Sequence, residues 1–209
     1  MRKALLTASA IILILAAGVV AQAPKPDDKG WINLFNGKDL SGWHLRKADG
    51  PNGWTVKDGV YINTPKSTDI QTDAEFYSFQ LHVEFKCEPH TNSGVYTRDK
   101  YEVQIFDSFG KQPDDSDCGA LYKRIAPTVN ASKPPGEWQT FDITLKDNKV
   151  TVIHNGKKVI DAFEVKGKTG SALPDSIVPH GAPGPLLLQG DHGEVQFRHI
   201  RIRPIVSVF

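Results

Sequence analysis

The chain has 209 residues, with 25 Lys and Arg against 24 Asp and Glu, a net charge of +1. That length suits one β-rich domain with a substantial core. The balanced charge gives no basic footprint for nucleic-acid binding and no acidic excess of a disordered chain.

At the N-terminus, Arg2 and Lys3 precede an apolar run from Ala4 to Val20 and then small residues. This is the form of a secretory signal peptide, and the run is short for a bilayer span. Cleavage after Ala21 or after Ala23 fits, the second leaving Pro24 first. The expected organisation is a signal peptide over 1–23, a polar leader over 24–30 and a single folded domain over 31–209. The expected location is secreted or periplasmic, with no membrane contact once the signal is gone. Loss of Arg2 and Lys3 leaves 23 basic residues against 24 acidic ones. Steering by net charge is then negligible, which points to an uncharged substrate.

Strand-like runs follow in order, at 53–63, 79–87, 93–98, 101–107, 137–163, 184–191 and 194–205. Asp58-Gly59 and Asn155-Gly156 are two-residue hairpin signals, and Asp147-Asn148 is a weaker one. No stretch after the leader keeps a helical period. Many short strands without helices predict an all-β sandwich or jelly roll. In the last run the apolar residues switch sides between Phe197 and Ile200, which predicts a bulge or a two-sided environment. Two long loops, 108–135 and 166–185, are rich in Gly, Pro, Asp and Ser; loops of that length are usually functional or disordered.

The strand at 101–107 carries the first candidate site. Alternation puts Glu102 and Gln104 on one face and Tyr101, Val103 and Ile105 on the other. A bulge between Gln104 and Asp107 would bring Asp107 onto the polar face. A three-residue turn over 99–101 would set Arg98 opposite Glu102 and Tyr96 opposite Gln104; a two-residue turn would set Arg98 opposite Tyr101. The spacing Glu-x-Gln-x-x-Asp resembles the Glu-x-Asp-x-x-Glu strand of retaining jelly-roll β-glucanases. Gln104 cannot titrate and Asp107 is one carbon shorter than Glu, so a paired-carboxylate mechanism does not fit well. A plain solvated strand face is the competing interpretation.

Further along, Gln189, Asp191 and His192 sit in a Gly-flanked turn. His192 beside Asp191 suits a general base near neutral pH or one metal ligand, or a simple exposed turn. His199 reads as structural. Trp31 and Trp54 read as core, whereas Trp138, after Pro134-Pro135-Gly136, is left open as a sugar contact or a core residue. Cys87 and Cys118 permit one disulfide in an exported protein, or two buried thiols. No Gly-x-Ser-x-Gly elbow, phosphate loop or His-Glu-x-x-His is present.

The blocks at 30–43, 92–108, 118–122, 131–143, 152–159 and 186–204 together resemble the 3-keto-disaccharide hydrolase domain family, over nearly all of the chain after the leader. The resemblance implies a concanavalin A-like jelly-roll sandwich of two antiparallel sheets. It also implies an exported carbohydrate enzyme acting on glycosides oxidised to a ketone at sugar carbon 3. Such a ketone acidifies the hydrogen on carbon 2, so a base can start an elimination and water can complete a net hydrolysis. On the family's motif positions, Glu102 or His192 is the expected base. Asp107 would hold His192 or protonate the leaving group. Arg98 and Gln104 would bind the 3-oxo and neighbouring oxygens. Tyr96, Gln189 and Trp138 are further sugar contacts, and Tyr122 and Lys123 would line the long-loop side. A divalent metal ion is possible, with Glu102, Asp107 and His192 as candidate ligands. The expected partner is a small carbohydrate; the oligomeric state is left open. A lectin-like binding module or an ordinary retaining β-glucanase are the alternatives.

Overall fold

The computed structural model describes residues 25–172 and 181–205; the signal-peptide assignment lies outside them. The strands are β1 (Ile32–Asn33), β2 (Trp43–Leu45), β3 (Thr55–Lys57), β4 (Val60–Ile62), β5 (Ile70–Phe76), β6 (Phe79–Cys87) and β7 (Asn92–Thr97). Then follow β8 (Tyr101–Phe106), β9 (Gln139–Lys146), β10 (Lys149–His154), β11 (Lys157–Glu164), β12 (Gly184–Leu188) and β13 (Val195–Pro204). There is no helix among the described residues.

Two antiparallel sheets form a jelly-roll sandwich. One runs β11-β10-β9-β6-β13-β4-β3, with β1 also paired to β13; the other runs β2-β5-β12-β7-β8. The core lies between them because the central strands alternate, β6 and β9 most regularly. In β6 the odd-numbered residues from Phe79 to Cys87 are buried while the even ones between them are not. From the facing sheet come Val95, Tyr101, Val103, Ile105, Leu186 and Leu188. Burying this apolar surface is the main driving force, at roughly 25 cal/mol per Å².

The turn signals form as read. Asp58-Gly59 joins β3 to β4 and Asn155-Gly156 joins β10 to β11, with φ of 51° and 75°, and 48° and 78°. Positive φ at both central positions matches the right-handed twist of the flanking strands. The side switch in β13 is also present. Its register against β6 shifts between Arg198 and Arg201, and His199 there has φ 50°. Phe197 and Ile200 are both buried as a result.

Two aromatic assignments divide. Trp54 is in the core, its indole N–H donating to Thr68 O at 2.7 Å. Trp31 is not: it is half-buried under the guanidinium groups of Arg201 and Arg203, because β1 lies along the exposed side of β13. Cys87 and Cys118 are buried free thiols, and burial pushes the Cys118 thiol up to about 12. The long loop after β8 is not wholly free. Leu121 bridges to Val103 and to Ile125, so residues 119–125 run alongside β8.

Candidate functional site

The hairpin β7–β8 carries the site. Its register pairs Asn92 with Phe106, Gly94 with Gln104, Tyr96 with Glu102 and Thr97 with Tyr101. The connecting turn is therefore three residues, 98–100, one position earlier than the three-residue turn considered from sequence, and the two-residue turn that would pair Arg98 with Tyr101 does not form. Arg98 and Asp99 take left-handed φ of 57° and 49° to close it. Tyr96, not Arg98, stands opposite Glu102.

With Val103 and Ile105 in the core, Glu102 and Gln104 point to the outer face of the five-stranded sheet. They do not meet bulk solvent there: Glu102 is 3% exposed and Gln104 2%. Segment 119–122 flanks β8 on one side, through Gln104 N–H to Ala120 O at 3.0 Å and Tyr122 N–H to Glu102 O at 3.0 Å. The loop after β11 crosses above, with Glu102 N–H donating to Thr169 Oγ1 at 2.6 Å. Two glycines make room for the carboxylate. A Cβ on Gly94 would lie 2.7 Å from Glu102 Oε1, and one on Gly170 would lie 2.1 Å from Oε2. Gly170 also has φ 52°, which an L side chain rarely adopts.

A cavity of about 270 Å³ remains, lined by Asn92, Tyr96, Glu102, Gln104, Tyr122, Gly170, Ser171, Gln189 and His192. Glu102 is its one carboxylate. Burial raises the Glu102 carboxyl to about 7; the Tyr96 hydroxyl donating to it and the nearby His192 act the other way, while Asp69 and Asp191 add to the rise. Burial and the Glu102 charge push the Tyr96 phenol up, so it is a neutral donor. Tyr96 Oη also lies 3.1 Å from Ser171 Oγ. The Asp191 carboxylate accepts from His192 Nδ1, which leaves Nε2 as the basic nitrogen. Both of these side chains are about half exposed. The side-chain oxygens of Gln104 and Gln189 are buried without a partner, so both amides have hydrogen-bonding capacity for an oxygen-rich ligand.

Arg46 holds the frame behind the cavity. Its guanidinium donates to Asp99 Oδ1 at 2.9 Å and to Ser171 O at 3.3 Å, and it lies 3.4 Å from Asp69. Asp69 in turn accepts from Gly190 N–H at 3.0 Å. One cation thus ties the hairpin turn, the 169–172 loop and the turn that carries His192.

Of the residues singled out from sequence, Glu102, His192, Tyr96, Gln104, Tyr122 and Gln189 are brought together. Asp107 is not: β8 runs to Phe106 without a bulge, and Asp107 Oδ2 instead accepts from His90 N–H at 3.1 Å. Arg98 turns away, over the rings of Tyr77 and Tyr101, and donates to Asp147 O at 2.9 Å. Lys123 is exposed and paired with Asp115 at 2.9 Å. Trp138 lies on the outer face of the other sheet, under Arg198 at 3.9 Å. The proposed metal trio is divided, since Glu102 and His192 line the cavity and Asp107 does not. Among the described residues no three His, Cys, Asp or Glu gather to hold an ion. Asn92, Gly170 and Ser171 line the cavity and were not foreseen. Asn92 shares the strand face of Gly94 and Tyr96, so alternation alone could have found it; Gly170 and Ser171 lie in the long 166–185 loop that the sequence singles out, but nothing there marks these two positions individually.

The fold agrees with comparison to known proteins. The model of a family described as a 3-keto-alpha-glucoside-1,2-lyase-like domain matches residues 30–203. A 3-keto-disaccharide hydrolase from Bacteroides thetaiotaomicron is 26% identical, over 65% of this chain and 59% of that protein; the chain thus spans less than two thirds of that relative. A solved Parabacteroides distasonis protein assigned as a glycosyl hydrolase is 33% identical at a TM-score of 0.71, covering 88% of this chain and 90% of that one. A second such protein from the same organism is 26% identical at 0.71, covering 85% and 95%. A carbohydrate-binding module from Bacillus subtilis, 10% identical at 0.50 over 77% and 94%, shares the fold alone.

Proposed function

The chain belongs to the 3-keto-alpha-glucoside-1,2-lyase-like family, and on that premise we propose that it cleaves glycosidic bonds of 3-keto-glycosides by elimination and water addition. The family and the named relatives support a glycoside-cleaving enzyme at the coarser level. The finer reading rests on one observation: the cavity holds a single buried carboxylate, raised to about 7, where a retaining glucanase needs two.

One carboxylate suffices for elimination. The 3-ketone acidifies the hydrogen on carbon 2. Ionised Glu102 takes that proton, and the electron pair forms an enolate. A raised pKa makes Glu102 a stronger base than an ordinary carboxylate, and it is still substantially ionised near neutral pH. The unpartnered amide oxygens of Gln104 and Gln189 can accept from sugar hydroxyls, and only the N–H groups of those amides can donate to the developing oxyanion. As the enolate collapses, carbon 1 and carbon 2 become doubly bonded and the carbon 1–oxygen bond breaks. His192, braced by Asp191, is placed to hand a proton to the departing oxygen. Water then adds across the double bond: its hydroxyl joins carbon 1 as its proton passes to His192, and Glu102 returns a proton to carbon 2, for a net hydrolysis. The signal-peptide form of residues 1–23 supports action outside the cytoplasm.

The test is turnover on a disaccharide and on its 3-keto derivative, by wild type and Glu102→Gln. The expected result is cleavage of the keto form alone, reduced about 10²- to 10⁴-fold in the variant. Deuterium at carbon 2 should slow the wild-type reaction. Cleavage of the unoxidised sugar, or binding without turnover, would overturn the proposal.

A further inference from the structure

The cavity is below the ~300–1,000 Å³ of pockets that enclose drug-sized ligands. It has room for about one sugar ring, so the leaving group of a disaccharide must lie outside it. One direction is closed. Beyond Tyr96 and Glu102 the strands run under the 169–172 loop, where Thr169 N–H donates to Lys100 O at 2.9 Å and Ala172 is buried with Tyr96 and Leu187.

The other direction is different. Past Gln104 and Asn92, the next residue of β8 on the same face is Phe106, directly paired with Asn92. Lys111 Nζ sits 4.6 Å from the centre of the Phe106 ring. In the same 108–111 turn as Lys111, Phe109 is 54% exposed, the most exposed large apolar side chain among the described residues. These residues do not hang on a free loop. Asn130 Nδ2 donates to Ser108 O at 2.5 Å and to Lys111 O at 2.9 Å, tying the 108–111 turn to the neighbouring segment. A single exposed apolar residue needs no explanation. Two aromatic residues and a lysine starting one alternation step past Gln104, outside the cavity lining but along the strand that floors it, are a different matter.

We infer that Phe106, Phe109 and Lys111 form a leaving-group subsite that takes the second sugar ring of the substrate. This rests on the functional reading above. A sugar fits better than a hydrocarbon aglycone because the exposed Phe109 ring, which suits the C–H face of a pyranose, stands in the same turn as an ammonium donor for its hydroxyls, while the partly buried Phe106 ring holds that ammonium in place.

The experiment compares wild type with Phe109→Ala and Lys111→Ala on a 3-keto-disaccharide and on a methyl 3-keto-glucoside, which has no second ring. Phe109 is exposed, so its truncation should leave the fold intact; thermal melting checks this. The expected result is a kcat/KM for the disaccharide about three- to tenfold lower in each variant, with the methyl glycoside unchanged. Equal losses on both substrates, or none on either, would overturn the subsite while leaving the function standing. If wild type cleaved neither keto substrate, the functional reading would fall and the subsite with it.

Discussion

Glu102 is held between opposing influences. Burial raises its carboxyl to about 7, while the Tyr96 hydroxyl donates to it and favours the charged form. If the ionised form is the base, kcat/KM should climb with pH through about 7. Tyr96→Phe removes the donor, so the midpoint should move to higher pH; a pH–rate profile for both proteins measures it. A profile falling through the same region would assign the base elsewhere. Arg98 teaches the converse at this scale. A turn over 99–101 would have set Arg98 opposite Glu102, yet the turn forms over 98–100 and Arg98, at left-handed φ, lies over Tyr101 instead.

At the scale of the element, the β7–β8 hairpin sets the site through alternation and register together. Alternation was legible: Val103 and Ile105 had to be core, so Glu102 and Gln104 had to share the opposite face. Register was not, because it depends on which residues of "TRDKY" accept positive φ, and a slip of one position changes every cross-strand neighbour. The glycines belong to this scale too. Gly170→Ala should push Glu102 or the loop aside, since the new Cβ would lie 2.1 Å from Oε2. Turnover should fall at least tenfold, with a stability loss of about 1–2 kcal/mol. Kinetics and urea denaturation on the same preparation separate the two effects.

Across the whole molecule, the site depends on segments distant in sequence. Arg46 joins Asp69, Asp99 and Ser171, from β2 to the loop after β11. Burial raises both carboxyls, and Arg46 opposes that rise. Arg46→Met would leave two poorly solvated carboxylates unpaired, at a cost of about 2–4 kcal/mol at pH 7. Their folded pKa values would then stand further above the unfolded ones. The variant's deficit should therefore be large above those values and shrink as pH falls and the carboxyls protonate. Urea denaturation at pH 7 and pH 5 tests this; an equal deficit at both would mean the network is not the cause.

The sequence by itself determined the class of fold, the two-residue turns, the bulge in β13 and six side chains of the cavity. These are local consequences of a two-residue period, of Asp-Gly and Asn-Gly chemistry, and of motif order along the chain. Only the tertiary structure decided that Asp107, Arg98, Lys123 and Trp138 stand apart and that Asn92, Gly170 and Ser171 belong. It also decided that Glu102 is buried. A carboxylate on an outer strand face is ordinarily solvated, and what makes this one a raised-pKa group is a loop more than sixty residues later in the chain. No local pattern encodes which loop will cover which strand; packing of the two sheets and the Arg46 network does.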